Sequence, residues 1–271
     1  MLKWSKANSK TKALADVPTI AKFLENNRKI YSVDLLSGFS CPYAKECLSK
    51  AVAHNENDIP YALKDVPNGG KLKLRIVDGP DTLFRCFSAS QEVVYPSTYR
   101  ARKHNFDLLR KENNAEGMFH LINDSQPKNL GICRIHVGGD MFNRNYMLAW
   151  GMVAEINQDR LFYAYTKSLP FWVKYRDYLD NIPNLVLTAS YGGKRDDLIE
   201  SENLRSARVI FSKKLANDLG LEIDKDDSHA ADPSKKQNSF ALLVHGQQPA
   251  GSDAGKAVRD LKGEGSYGKK K

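Results

Sequence analysis

Short apolar segments alternate with longer, more polar segments along most of the chain. The apolar segments have the length of strands and contain β-branched and aromatic residues, as in GICRIHV and SFALLVH. They predict eight strands, at residues 29–36, 82–87, 131–137, 161–165, 185–188, 208–211, 221–223 and 239–245. The intervening segments predict helices at residues 43–54, 95–113, 144–156, 170–179 and 213–219.

This alternation predicts an α/β protein in which helices cover a parallel sheet. The predicted strands are almost continuously apolar, which is typical of a sheet buried on both faces. Eight strands in this order favour a (β/α) barrel, complete or partial, with its helices on the outside. A doubly wound open sheet is the alternative, although no GxGxxG fingerprint follows the first strand.

The length and composition fit one main domain. A chain of 271 residues with 41% hydrophobic content can bury one large core. We expect a single barrel-like domain over residues 1–248. From Pro249 the composition shifts to Gly, Ser, Ala and Lys, so a flexible basic tail is expected over residues 249–271.

The charge of the chain suggests a polyanionic partner. The formal net charge is +9 and the pI is about 9.2, which fits binding to nucleic acid or a nucleotide and a solvated lysine surface equally well. The N-terminal segment MLKWSKANSKTKAL lacks the apolar run of a secretory signal, and no apolar run is long enough to span a membrane. With four cysteines in a chain of this size, we expect a cytoplasmic protein without membrane contacts.

Polar residues follow the predicted strands, at the ends where active sites of parallel β/α proteins lie. The turn VGGDMF after the third strand allows close backbone approach to a ligand and offers a carboxylate. We expect Gly138, Gly139, Asp140 and Ser190 to contact a cofactor. Candidates for acid–base or nucleophilic chemistry are Asp140, Lys167 and His229.

Three cysteines are the strongest chemical signal. Cys41 and Cys47 are six positions apart after the first predicted strand, and Cys86 belongs to the second. Three thiolates would leave one position of a zinc ion, or one iron of an iron–sulfur cluster, open to substrate. The alternative is that these cysteines are small buried hydrophobes, the role expected for Cys133 inside its apolar strand.

Two further segments are candidates for ligand binding. His229 lies among Asp226, Asp227 and Asp232, in a loop that would bind a cation, position a general base or form a solvated acidic turn. A predicted helix carries a basic cluster that would contact phosphate, or form a solvated face. Its members are Arg100, Arg102, Lys103 and His104.

Several uncommon strings, taken in order, carry a family resemblance. They include SGFSCPYAKEC, FRCFSASQE, RIHVGGDMF, FYAYTKSLPFW and LEIDKDDSHAADP. Over residues 37–252 the chain resembles the gene product 88 family of bacteriophage proteins. The resemblance implies a phage or prophage origin and therefore the host cytoplasm, and the family brings no established reaction with it.

A more distant likeness is to radical S-adenosylmethionine enzymes. Those enzymes place three cluster cysteines after their first barrel strand and a glycine-rich acidic motif after a later strand. Cys41 and Cys47 are similar to the first feature, and Gly138 to Asp140 to the second. The spacing differs, because this chain has Cys-x5-Cys and a remote Cys86 in place of CxxxCxxC. The likeness implies an iron–sulfur cluster and S-adenosylmethionine as cofactors.

Two other functions remain open. The string GDMFN, with Asp140 as nucleophile, is similar to the catalytic strand end of zinc-bearing tRNA-guanine transglycosylase barrels, which modify bases. The Cys-x-Cys-x-x-Cys zinc signature of those enzymes is missing. A noncatalytic protein that binds nucleic acid or a host factor is the third possibility.

Overall fold

A computed structural model describes residues 1–7, 9–262 and 264. The strands in this part of the chain form an eight-stranded sheet and a separate two-stranded one. They are β1 (Trp4–Lys6), β2 (Lys29–Val33), β3 (Ser49–His54), β4 (Lys73–Asp78), β5 (Leu130–Ile135), β6 (Leu161–Thr166), β7 (Leu185–Ser190), β8 (Ser206–Ile210), β9 (Glu222–Ile223) and β10 (Phe240–Leu243).

The helices lie mostly between successive strands of the large sheet. The α-helices are α1 (Ser9–Lys12), α2 (Pro18–Ala21), α3 (Phe87–Val94), α4 (Pro96–Leu109), α5 (Ala115–Asp124), α6 (Arg144–Ile156), α7 (Leu169–Lys174), α8 (Arg176–Leu179), α9 (Asp197–Ser201), α10 (Lys213–Asp218), α11 (Ser228–Ala231) and α12 (Asp253–Asp260). Short 3-10 helices are Ala13–Asp16, Lys22–Leu24, Leu63–Asp65 and Pro233–Lys235.

The large sheet is parallel except at one edge. Its order is β1-β2-β5-β6-β7-β8-β10-β9, and only β1 runs antiparallel to its neighbour. From β2 to β8 the strands of this sheet are neighbours in chain order, without the reversal of a doubly wound sheet. The predicted α/β class with a parallel sheet and covering helices is therefore confirmed.

One face of the sheet packs against the larger helices. Cys133 and Ile135 of β5 and Phe162 of β6 point to this helical face. Trp150 of α6 and Met118 of α5 belong to the same buried cluster. Helix α6 begins where the sequence predicts, because the Asn143 side chain accepts a hydrogen bond from the Tyr146 amide (2.8 Å) at its first turn.

The opposite face, which we call the cavity face, carries the alternate residues of the same strands. Ile132 of β5 and Tyr163 of β6 lie there. Leu14 and Phe23 from the N-terminal segment and Ala230 of α11 cover part of it. Neither covering segment was predicted as structured, so the burial of this face depends on parts of the chain with little periodicity.

Two predictions for the segment between Cys41 and Phe87 are wrong. The helix predicted at 43–54 is a turn followed by β3, whose residues alternate between buried and partly exposed as they pair with β4. The strand predicted at 82–87 is an irregular segment that leads into α3. Pairing between distant strands therefore overrode a local composition that favoured helix.

Most predictions for the rest of the sheet are confirmed. Strands expected at 131–137, 161–165, 185–188 and 208–211 are β5 to β8, and those at 29–36 and 239–245 are β2 and β10. The helix predicted at 95–113 ends at Leu109, and the one at 170–179 is divided into α7 and α8.

The C-terminal segment differs from the expected flexible tail. Helix α12 is capped by Ser252, whose Oγ accepts from the Gly255 amide (3.0 Å). Its residues Ala254 and Ala257 are buried against Ile210 and neighbouring residues of the sheet. The rest of the expected tail, residues 263 and 265–271, lies outside the described residues.

No helix among the described residues is long and apolar enough to cross a membrane.

Candidate functional site

Three turns meet at the carboxyl ends of the central strands. The cysteine loop, residues 38–47, follows β2, and its Lys45 and Glu46 amides donate to the Gly192 carbonyl (3.1 and 2.9 Å), which lies after β7. Beside it, the Leu35 amide donates to the Gly138 carbonyl (2.8 Å) in the turn after β5. Backbone hydrogen bonds therefore connect the cysteine loop to the turn after β7, and the residues just before the loop to the turn after β5.

The turn of residues 136–140 has an unusual backbone, which a buried carboxylate stabilises. His136 has φ 68° and Gly139 has φ 95°, so two positions are left-handed. Asp34 Oδ1 accepts from the Val137 and Gly138 amides (2.6 and 3.3 Å). A Cβ on Gly139 would lie 2.7 Å from Leu35 Cβ, so glycine permits this close packing.

Asp140 is buried and fully bonded. Its Oδ1 accepts from the Thr166 hydroxyl (2.6 Å) and the Met141 amide (2.7 Å), and its Oδ2 accepts from the Lys167 amide (2.9 Å). Burial raises the pKa of Asp140, and these three donors oppose the rise. The carboxylate thus ties the end of β5 to the end of β6.

Lys167 extends from the end of β6 to the end of β7. Its Nζ donates to Ser190 Oγ (2.6 Å) and to the Ser190 and Tyr191 carbonyls (3.2 and 2.5 Å). Lys167, Ser190 and Gly139 all line the same cavity. The structure therefore brings these predicted residues together.

The three cysteines also converge, although a hairpin separates them along the chain. Cys47 and Cys86 both line the cavity. Strands β3 and β4 form the hairpin, and the Leu83 amide returns to the Glu46 carbonyl (2.8 Å) beside Cys47. The Cys86 amide donates to Ser49 Oγ (3.3 Å), which fixes the third cysteine at the base of the hairpin.

The acidities of the thiols reflect this proximity. Burial raises the pKa of Cys41 well above its usual value, and the negative charges of Asp140, Cys86 and Cys47 raise it further. Burial also raises the pKa of Cys47 to about 11, although the positive charge of Lys167 lowers it. The thiols of Cys41 and Cys47 are therefore protonated near neutral pH as long as no cation is bound.

Within the described residues, no group of three Cys, His, Asp or Glu side chains has the spacing of a formed metal site. Cys41, Cys47 and Cys86 are neighbours that do not form such a group in this arrangement.

The cavity has a volume of about 220 Å³. Behind the cysteines, its wall contains a buried ion pair between Arg134 and Asp227 (2.5 Å). The hydroxyls of Tyr163 and Tyr165 donate to the same carboxylate (3.1 and 3.4 Å). His136 and Asp224 line this part of the cavity as well.

His229 lies away from the cysteines. Its Nε2 is 2.7 Å from Glu222 Oε2, and its Nδ1 is 3.7 Å from Asp224 Oδ1. It borders a separate surface depression with Lys213 and Leu243. Those two carboxylates are its partners, and it does not line the cavity of the cysteines.

The basic residues of α4 have protein partners. Arg102 is buried and pairs with Glu92 (2.9 Å), and the mostly buried Lys103 pairs with Asp107 (2.6 Å). Arg100 donates to the Asn68 carbonyl (2.9 Å). His104 Nε2 lies 3.0 Å from the Met1 carbonyl. Arg102 and Lys103 are buried, so their cations are not presented to solvent, whereas Arg100 and His104 are half-buried; a phosphate-contacting role for this helix stays a prediction.

Sequence reasoning missed several residues that shape the site. Asp34 and Glu92 position the turns, while Arg134 and Asp224 line the cavity. Glu92 Oε1 accepts from both the amide and the hydroxyl of Ser37 (3.0 and 2.9 Å), just before the cysteine loop. A charged residue inside an apolar strand, as in GICRIHV, is the one signal that could have indicated a polar cavity.

These features define a mixed α/β protein with a mostly parallel sheet and a cysteine-lined polar cavity at the carboxyl ends of its strands. The sequence profile of the family described as "Gene product 88" matches residues 2–260. The chain therefore belongs to the Gene product 88 family of phage proteins.

The chain is similar to the "Gene 88 protein" of Mycobacterium phage L5, with 31% identity over 90 residues. That match covers 30% of this chain and 38% of the relative. No solved structure matches the chain.

Proposed function

We propose that this protein is a metalloenzyme in which Cys41, Cys47 and Cys86 bind an iron–sulfur cluster. The observation that carries the proposal is that three cysteines, from two segments separated by a hairpin, are neighbours, and that two of them, Cys47 and Cys86, line the cavity. Three protein ligands leave one iron free for a cofactor or substrate. Burial alone would be consistent with thiols that serve only as small apolar side chains. The clustering of the three cysteines beside Lys167 and a polar cavity favours a role as metal ligands.

A bound metal centre would change the acidities of the thiols. Burial and mutual repulsion disfavour the thiolates of Cys41 and Cys47. A metal would remove both penalties, because its positive charge stabilises coordinated thiolates. Structural thiols in apolar surroundings have raised pKa values as well, so the proposal rests on the clustering of the cysteines and not on their acidity.

The order of the parallel strands in the large sheet supports a barrel-like arrangement. From β2 to β8 the parallel strands follow one another across the sheet, as they do in a barrel, complete or partial. The cysteine loop follows the first of these strands, and the turn of Gly138 to Asp140 follows the second. We therefore infer a radical S-adenosylmethionine-like enzyme with an unusual cysteine spacing.

Within that site the residues of the chain have separate tasks. Gly139 provides backbone that packs closely against Leu35 and against Ser40 of the cysteine loop, and Gly138 packs against Arg102. Asp140 acts as a positioning residue, Lys167 holds Ser190 and Tyr191 through its ammonium group, and Ser190 lines the cavity at which the cofactor would bind. A cluster with an open iron would supply an electron to S-adenosylmethionine. We assign no chemical step to His229.

The bonding of Asp140 favours this proposal over a zinc-dependent transglycosylase. A nucleophilic aspartate needs an oxygen directed at the substrate. Both oxygens of Asp140 already accept hydrogen bonds from protein donors, and the residue is buried. The geometry therefore favours the iron–sulfur proposal.

The proposed substrate is a nucleotide or nucleic acid. The net charge of +9 supports a polyanionic partner. The exposed Lys225 lies at the cavity and is better placed to meet phosphate than the buried cations of α4, whereas Arg85 at the cavity already pairs with Asp78 (2.5 Å).

Anaerobic reconstitution with iron and sulfide tests the proposal. The wild-type protein should become brown, and Cys41→Ala, Cys47→Ala and Cys86→Ala should each lose most of the bound iron. Cys133→Ala is the matched control, because Cys133 is fully buried on the helical face. A colourless wild-type protein without iron would overturn the proposal, as would triad variants that retain as much iron as the control.

A further inference from the structure

The wall of the cavity contains an enclosed carboxylate oxygen that has no donor. Asp224 follows β9, at the edge of the sheet opposite the β2 side. It is 4% exposed and lines the cavity. Its Oδ1 accepts from the Asp226 amide (3.1 Å) and lies 3.7 Å from His229 Nδ1, but Oδ2 meets no hydrogen-bond donor among the described residues. An enclosed carboxylate oxygen without a donor is unfavourable unless a ligand supplies one.

A second unpartnered polar atom belongs to the same cavity. His136 is 4% exposed, and its Nδ1 has no partner in the described part of the chain. Its Nε2 lies 2.9 Å from the Tyr146 hydroxyl. Because a buried phenol needs an acceptor for its proton, Nε2 accepts and Nδ1 carries the ring hydrogen. His136 thus offers one donor, where Asp224 offers one acceptor.

The remaining walls suit a flat ring. Phe84, Phe87, Tyr165 and His245 contribute aromatic surface, and Val209 and Leu242 contribute aliphatic surface. The volume of about 220 Å³ exceeds the roughly 150 Å³ of an engineered cavity that accepts benzene. It is smaller than the roughly 300 Å³ at which pockets for larger ligands begin. One substituted heterocycle therefore fits, whereas a whole nucleotide would extend through the opening.

We propose that this part of the cavity binds a nucleobase that carries an exocyclic amine. The amine donates to Asp224 Oδ2, and a ring nitrogen or carbonyl accepts from His136 Nδ1. Aromatic side chains contact the faces of the base, as is common where proteins bind unstacked bases. The inference deepens the proposed function by naming the substrate class. It rests on that function for the reaction but not for the binding.

Matched nucleosides test the amine directly. Adenosine and purine riboside differ only in the exocyclic amine, as do cytidine and its 2-pyrimidinone analogue. Calorimetry should show that at least one aminated nucleoside binds about tenfold or more tightly than its partner, since loss of one buried hydrogen-bond donor has an effect of this size. The same base in a short single-stranded oligonucleotide then distinguishes a strand from a free nucleotide. Tighter binding of S-adenosylmethionine than of every nucleoside and oligonucleotide would overturn the assignment to a substrate, because the adenine of that cofactor carries the same amine.

Asp224→Asn reverses the hydrogen bonding at the site. The Asn carbonyl would accept from the Asp226 amide, so the amide nitrogen would take the position of Oδ2 and present a donor. The variant should lose the preference for the aminated nucleoside. Asp232→Asn is the control, because Asp232 is also buried in this segment but does not line the cavity. It should keep the preference.

Equal affinity for both members of each pair would overturn the inference, as would absence of binding to all four nucleosides. Retention of the preference for the aminated nucleoside by Asp224→Asn would also overturn the inference. The measurement uses protein without metal, so its failure is separate from failure of the proposed metal centre. Iron binding without discrimination would leave the proposed function intact, and discrimination without iron would leave only the nucleobase site.

Discussion

At the scale of single residues, the site depends on polar side chains that are buried but held by partners from other elements. Asp34 bonds the turn after β5, and Asp140 bonds the end of β6. His136 stands between these carboxylates in a left-handed conformation, with its ring hydrogen-bonded to Tyr146. Such residues fix the geometry of the cavity more firmly than the flexible side chains at its opening.

The pH dependence of stability tests the environment of His136. Burial lowers the pKa of His136 from 6.5 to about 4, so the unfolded chain takes up the proton first as the pH falls. The contribution of the neutral His136 ring to stability is fully present above pH 6.5 and is lost as the pH falls towards 4. His136→Asn tolerates the same backbone and does not titrate, so it should lose about 2 kcal/mol less than wild type between roughly pH 7 and 4.5.

Urea unfolding of both proteins at the two pH values measures this difference. Other titrating groups are common to both chains, so their contributions cancel. Equal losses of stability in wild type and variant would show that His136 is protonated as easily in the folded protein as in the unfolded chain.

Individual residues also show which parts of the site a sequence can indicate. The positions of Lys167 and Ser190 at the site could be predicted, because both follow apolar segments predicted as strands. The carboxyl ends of neighbouring parallel strands lie along the same edge of the sheet. His136 and Asp224 could not, because their importance depends on missing partners, which only three-dimensional packing determines. The burial of Arg102 was missed for the same reason.

At the scale of elements, a buried ion pair joins two helices to the cysteine loop. Arg102 of α4 contacts Glu92 of α3, and Glu92 bonds Ser37 just before the loop. Their side chains are 4% and 0% exposed. Burial raises the pKa of Glu92 in spite of Arg102, so the attraction only partly offsets the loss of hydration.

Arg102→Met should therefore lower the free energy of unfolding by roughly 3–5 kcal/mol, because it leaves the buried Glu92 carboxylate without its cation. The double variant Arg102→Met with Glu92→Gln should lose less, since no buried charge remains. Denaturant unfolding of the wild type, the single variant and the double variant measures both effects. A double variant that is less stable than Arg102→Met would contradict this explanation.

The hairpin explains the main failure of sequence reasoning at this scale. Residues SKAVAH form β3, although Ala and Lys favour helix in isolation. Their alternating burial becomes visible only when β4 is aligned beside them, through pairs such as Ala51 with Ile76. Strands β5 to β7 were predictable because their burial on both faces requires continuous apolar runs.

At the scale of the whole molecule, helix α12 packs against the part of the large sheet that contains β8 and β10. Ala254, Ala257 and Leu261 pack in the same cluster as Ile210 and Leu243. Nearby, Glu264 lines the cavity and pairs with Lys213 (2.6 Å). Residues after Pro249 therefore contribute both to the core and to the site, which their Gly- and Lys-rich composition did not reveal.

Removal of residues 249–271 should lower the free energy of unfolding by roughly 2–4 kcal/mol, because it exposes this apolar contact. Removal of residues 265–271 alone retains α12 and should have little effect. Thermal unfolding of both truncated chains checks the prediction. If the longer truncation unfolds at the wild-type temperature, α12 does not stabilise the sheet.

The central claim concerns the metal, and the metal content of anaerobically purified protein tests it most directly. Iron, acid-labile sulfide and zinc should be determined without prior reconstitution. A full [4Fe–4S] cluster corresponds to about four iron atoms and four sulfides per chain. We expect iron and sulfide in equal amounts approaching that value, with little zinc. Protein that contains neither iron nor sulfide would contradict the account, and one equivalent of zinc would replace the iron–sulfur cluster with a zinc centre.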